Sequence, residues 1–173
     1  LFVPDAQARQ AMAQAGEVEF AFSLPVTATQ MLAGADNVDV NIQAIPRVRA
    51  LKLNGGMAPL DEVAVRQAIS YAIDRSGIAT SIVGNPDTAA SQLFPASLPA
   101  WHDASLEPFA YDPAKATELL EGAGFEKGDD GILTRDGERF SIEMRTYDSR
   151  PELPVIGVAI QGMLNEVGIE VTM

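Results

Sequence analysis

The residues best placed for chemistry form one short run, Tyr147-Asp148-Ser149-Arg150-Pro151-Glu152. It joins a stretch with strand alternation, ending at Tyr147, to a helix-patterned stretch that opens at Pro151. In α/β folds ligands settle off the carboxyl ends of strands, where the free N–H groups of the next helix also point. Arg150 offers a planar fork that can hold a carboxylate through two parallel hydrogen bonds. Tyr147 can stack on a solute or hydrogen-bond it, and Asp148 and Glu152 complete this candidate ligand-binding set. The same residues also fit an ordinary helix start, with Asp148 or Ser149 as the cap and Arg150 in solvent. On the residues alone both readings stand.

A second candidate is Trp101, the one tryptophan, in an irregular stretch rich in Pro, Ser and Ala from Asn85 to Pro108. A loop this long in a compact domain is functional or packed as a cover. Trp101 either lines a pocket or pins the loop to the domain. Its neighbour His102 is the only histidine. One His beside Asp103 does not make a metal site, which needs several converging ligands, so no metal is expected.

Catalysis finds little support. There is no cysteine, which removes thiol chemistry, disulfides and Cys-based zinc sites together. Nucleophile elbow, P-loop, His-Glu-x-x-His and Gly-x-Gly-x-x-Gly are all missing from the sequence. Asp129-Asp130 falls in a Gly-rich turn and reads as solvated. We therefore expect no catalytic residue and no cofactor. A hydrolase is the weakest of the readings left open, behind a solute binder and an isolated interaction or sensor module.

Twelve Lys and Arg against 24 Asp and Glu give a formal net charge of −12 over 173 residues. Nucleic-acid binding needs a basic footprint to displace counterions, and this balance excludes it. Anionic membrane surfaces would repel the chain, and its charge serves solubility. No apolar run is long enough to span a bilayer. No signal peptide is visible, and the opening LFVPDAQARQ, without Met, reads as part of a longer polypeptide.

These residues need a scaffold, and the sequence outlines one. A helix is expected over Asp5–Ala15, stopped by Gly16, and a short one near Val26–Ala33. Glu17–Ser23, Asn37–Ile45 and Val48–Asn54 alternate as strands, with Val38, Val40, Ile42 and Ala44 on one face. Asp61 is the expected N-cap of a helix carrying the stripe Val65, Ala68, Ile69, Ala72 and Ile73. Ser76–Val83 follows as a short helix, and Asp112-Pro113 opens another. Gly131–Thr134 and Arg139–Tyr147 should form a hairpin around Asp136-Gly137. A helix from Pro151 and a strand over Ile169–Met173 close the chain. Crossovers plus one hairpin predict an α/β domain with a mixed sheet flanked by helices. Arg66 and Asp74 read as structural, bonding nearby backbone rather than ligand.

Four segments resemble one family. LNGGMAPLDEVAVRQAISYAIDR (Leu53–Arg75) is similar to the signature of bacterial family 5 extracellular solute-binding proteins, the peptide, dipeptide and nickel group of ABC importers. PDAQARQAMAQAGEVEF, YDPAKATELLEGAGF and TYDSRPELPVIGVAIQGMLNEVGIEVTM resemble three more of its segments, in order. In the first of these, Glu19 stands where the family usually has Asp. The resemblance implies a periplasmic binding protein type II-like lobe, with residues 1–173 as the second lobe of a two-lobed protein whose first lobe is missing. It implies capture of a peptide, metal chelate or similar small solute and delivery to a membrane ABC permease. The setting would be periplasmic or membrane-anchored extracellular. It also implies that the Tyr147–Glu152 turn faces the cleft between lobes.

Overall fold

The structure is a computed structural model and describes residues 1–43 and 45–173. Its organisation changes near residue 54. The main buried cluster begins at Leu60 and ends at Val171, drawing on two central helices, the hairpin and the final helix and strand but on nothing between residues 84 and 115.

Helix α3 (Val63–Ala72) lies at the centre of that core, because Val65, Ala68, Ile69 and Ala72 recur at helical spacing and are all buried. It packs against α5 (Pro113–Gly122), where Ala116 and Leu120 face inward. The start of α5 reads straight from the sequence: Asp112 accepts the Lys115 N–H at 2.8 Å, and Pro113 occupies the first turn. The Asp112 N–H also donates to the Tyr71 carbonyl at 2.9 Å, which locks α5 to the end of α3.

The expected N-cap at Asp61 is not formed. Helix α3 starts at Val63 with Glu62 in the cap position and no side-chain cap. Glu62 is drawn away by Arg135, which donates to it through both Nη2 (2.7 Å) and Nη1 (3.2 Å). Arg66 turns back to the exposed turn before the helix and donates to the carbonyls of Leu60 (2.9 Å) and Asp61 (2.7 Å). After α3 the chain makes the short α4 (Arg75–Ile78), capped by Asp74 accepting from the Gly77 N–H at 2.8 Å. It then continues as a π-helical turn over Ala79–Val83.

The hairpin forms at Asp136-Gly137, both with positive φ (54° and 80°), as a two-residue turn requires. It belongs to a three-stranded antiparallel sheet: β1 (Glu126–Lys127), β2 (Leu133–Arg135) and β3 (Glu138–Arg139). The single strand expected over Arg139–Tyr147 is divided. Past β3, Phe140 is buried at 1% exposure and stacks on Phe125 at 4.9 Å. The chain then leaves the hairpin sheet as β4 (Ser141–Glu143), parallel to β5 (Glu170–Thr172). Between them runs α6 (Glu152–Glu166), a strand–helix–strand crossover. Gly168 ends that crossover at φ +87°, and a Cβ there would sit 2.8 Å from Leu133 Cγ. The outer edge of β5 is covered by α6, since Gln161 donates to the Val171 carbonyl and Asn165 accepts from the Val171 N–H.

The first 54 residues depart from expectation. Helices α1 (Ala6–Gln14) and α2 (Val26–Leu32) form, the latter burying Ala28 and Leu32. The strands expected at 17–23 and 48–54, and the described part of 37–45, make no ladder with any described residue, and the first is bent, with Ser23 at φ 60°. Ala44 lies outside the described residues. Alternation assigns side chains to two faces, yet a strand needs a partner backbone, and among the described residues none pairs with these stretches. Phe20 and Phe22 are accordingly 79% and 73% exposed.

Candidate functional site

The Tyr147–Glu152 run follows the extension of β4 and leads into α6, the junction at which free helix N–H groups gather. Neither Asp148 nor Ser149 caps the helix. Pro151 takes the cap position with no side-chain bond, and the Leu153 N–H donates to the Arg150 carbonyl at 3.0 Å. The cap by Asp148 or Ser149 is thereby removed, whereas Arg150 lies in solvent, as that reading also had it. Tyr147 is well exposed, as are Asp148, Ser149 and Arg150, and the Arg150 guanidinium has no ion-pair partner among the described residues.

Glu152 is different. Its side chain is only 17% exposed, in the first turn of α6, where the helix dipole favours a negative charge. It accepts from Arg49 Nε at 2.8 Å and from Arg49 Nη2, a side-on pair reaching across 103 positions of sequence. Burial, the largest single influence, raises the Glu152 carboxyl pKa, but the Arg49 hydrogen bond, a backbone hydrogen bond and the charges of Arg49 and Arg150 together hold the group below its ordinary value. Arg49 was not singled out from the sequence; nothing in its surroundings distinguishes it from any other arginine on an extended stretch.

Trp101 stands apart. Its ring lies against Phe94 at 5.6 Å and remains 68% exposed. The surrounding loop is tied to itself, with Gln92 and Asp103 exchanging two bonds (2.9 and 3.0 Å) and His102 Nδ1 2.9 Å from the Phe94 carbonyl. Trp101 thus braces the loop, and neither cavity described below includes it.

A groove of about 280 Å³ runs between the 48–53 stretch, α3 and the 90–93 stretch, with Arg49 on its wall. It meets a second cavity of about 250 Å³, and the two share Ile73, Arg75, Ala90, Ser91 and Phe109. Arg49 therefore connects the groove to the Tyr147–Glu152 turn. Among the described residues no helix is long and apolar enough to cross a membrane.

Known proteins resemble this chain throughout. The family model for bacterial extracellular solute-binding proteins, family 5 Middle, matches residues 1–173. A glutathione-binding protein GsiB of Shigella flexneri is 29% identical over 168 residues, 96% of this chain and 32% of that protein. The GsiB of Salmonella typhimurium is 31% identical over 156 residues, 90% of this chain and 30% of its own length. The chain thus spans about a third of the length of these curated relatives. Among solved structures, NikA from Brucella suis in complex with Fe(III)-EDTA superposes with a TM-score of 0.84 at 25% identity, over 98% of this chain and 35% of that one. The oligopeptide-binding protein AppA from Bacillus subtilis, in complex with a nonapeptide, gives 0.73 at 29% identity over 98% and 34%. With a match of this extent, the chain belongs to family 5 of the bacterial extracellular solute-binding proteins.

Proposed function

We propose that this chain is the solute-gripping lobe of an ABC importer's binding component, and that it presents the Tyr147–Glu152 turn to a peptide, metal chelate or similar small solute. The observation that carries this reading is the family match over all 173 residues. Relatives of this family include proteins named for glutathione binding and structures holding a metal chelate or a nonapeptide. Those solutes differ, but all are small and polar and present carboxylates. Arg150 and Tyr147 suit such a surface, with a guanidinium fork and an aromatic ring exposed at a helix start. Glu152, paired with Arg49, orders the base of the turn.

A second lobe would close over the solute, enclosing it and signalling a membrane permease by the change of shape. The extended stretches 17–23 and 48–54, apolar on one face and unpaired here, are where a sheet shared with further polypeptide would be completed. The protein would act outside the cytoplasm, periplasmic or anchored at the outer face of the membrane. It would capture solute without turning it over.

The test is NMR mapping with millimolar trialanine, glutathione and nickel–histidine chelate in turn, because one wall of a cleft binds weakly. For at least one solute, shifts should centre on residues 147–152, and Arg150→Ala and Tyr147→Ala should each weaken binding by about tenfold, the loss of one good polar or aromatic contact. Saturating shifts that avoid the turn, or full affinity in both variants, would overturn the assignment.

A further inference from the structure

Arg49, Arg66 and Arg75 line a single groove in a chain whose formal net charge is −12. Among the described residues no aspartate or glutamate lines that groove, while Asp74 lines the adjoining cavity with its Oδ1 accepting the Gly77 N–H. A guanidinium drawn out of water needs an anion or a full set of acceptors. Arg49 has Glu152, and Arg66 spends Nη1 alone on the two carbonyls before α3.

Arg75 is left half satisfied. Nη1 donates to the carbonyls of Ser70 (2.9 Å) and Ile73 (3.4 Å), and Nη2 donates to Ser70 Oγ (2.8 Å). These bonds engage the end-on edge of the fork. The side-on edge, formed by Nε and the second Nη2 proton, meets no acceptor among the described residues, and Arg75 has no ion-pair partner among them. Elsewhere in this chain that same edge grips carboxylates: Arg49 uses it on Glu152, and Arg145 on Glu143. Burial meanwhile pushes the Arg75 pKa down, with no carboxylate to oppose it. Ile69, Ile73 and Phe109 give the groove apolar walls, so an anion docked there would be partly shielded from water, where a bidentate pair gains strength.

We propose that this groove is a binding site for a small carboxylate-bearing molecule, taken side-on by Arg75 and packed against Ile73 and Phe109, with Ser91 at the rim. The volume, at the small end of ligand pockets, suits a compact mono- or dicarboxylate rather than a long peptide. The site is independent of the solute reading for the turn, since its ligand needs neither Tyr147 nor Arg150.

The probe is succinate, titrated into the isotope-labelled chain at fixed ionic strength, with succinamide as the uncharged control and inorganic phosphate as the competing anion. The expected result is a saturable shift of the Arg75 Nε–H signal together with the amides of Ser70, Ser91 and Phe109. Residues 147–150 should stay still, Glu152 being tied to the groove through Arg49, so failure here and failure at the turn are read from different signals. Succinamide should give no shift, and Arg75→Lys, which keeps the charge but loses the fork, should weaken succinate at least tenfold. Ser91→Trp, which obstructs the groove and leaves Arg75 intact, should do the same and covers the case in which Arg75→Lys does not fold. Unchanged affinity in a folded variant, or shifts confined to the turn, would overturn the proposal. Equal affinity for phosphate would reveal an unselective cationic patch and overturn it as well.

Discussion

The first 54 residues and the remaining 119 share one composition style but fold by different rules. From Leu60 onward each apolar stripe meets another: α3 meets α5, Phe125 meets Phe140, and α6 covers the β4–β5 pair. Before residue 54 the apolar positions alternate just as regularly, yet Phe20, Phe22 and Ile42 face solvent. Within this region α2 finds a seat, with Val26 Cγ1 close against Gly84, and Leu53 packs against the main core. The contrast teaches that amphipathic patterning is a request for a partner, met in one region and unmet in the other.

The largest expected effect tests that contrast directly. Phe140→Ala should cost about 3–5 kcal/mol in urea unfolding, whereas Phe22→Ala should change stability by no more than about 0.5 kcal/mol. A comparable loss at Phe22 would break the distinction between the regions. Native-state hydrogen exchange should then separate them residue by residue. Amides inside α3, α5 and α6 should exchange roughly a thousandfold slower than those of 17–23 and 48–54, which lack ladder bonds. Protection in the extended stretches equal to that of α3 would show pairing that the described structure lacks.

Gly168→Ala tests a joint within the packed region. Alanine would have to adopt φ +87° and press its Cβ on Leu133, so unfolding should be easier by about 1–3 kcal/mol. Gly16→Ala, also at positive φ but with open space around its Cβ, should cost less. The smallest effect concerns pH. Glu62, Asp130 and Glu170 are all held below their ordinary values, chiefly by hydrogen bonds from Arg135 to the first and Arg139 to the other two. With lowered folded-state values, the unfolded chain binds more protons in the acid range. The stability they contribute is present at neutral pH and is lost as pH falls through the carboxylate range. Melting temperature should decline as pH falls from about 6 into the carboxylate range, and Arg139→Ala should flatten that decline. All three carboxylates sit in the region after residue 54, so removal of residues 1–45 should leave the profile unchanged.

Much of the packed region was legible because its signals are local. Asp136-Gly137 specifies its turn within two residues, and Asp112-Pro113 carries both a cap acceptor and a fixed φ. The role of Asp61 was misread because the competing pull on Glu62 comes from Arg135, 73 positions away. The β4 boundary was misread because one continuous alternation serves two sheets, with Phe140 as the pivot: its N–H donates to Leu133 and its carbonyl accepts from Glu170. For the candidate site, the turn itself was visible as a strand-to-helix junction. Its tie to Arg49 was not.

By itself the sequence determined the family, the helices of the packed region, the hairpin turn and the place where β4 gives way to α6. Each of these rests on residues a few positions apart, where spacing alone decides geometry. The tertiary structure decided which carboxylates acquire an arginine, that Trp101 lies against Phe94 of its own loop, and that Arg75 lines a groove with its Nη groups bonded to Ser70 and Ile73. Those outcomes depend on groups brought together across dozens of residues, where charge and burial compete in space and the order of the chain carries no record of who wins.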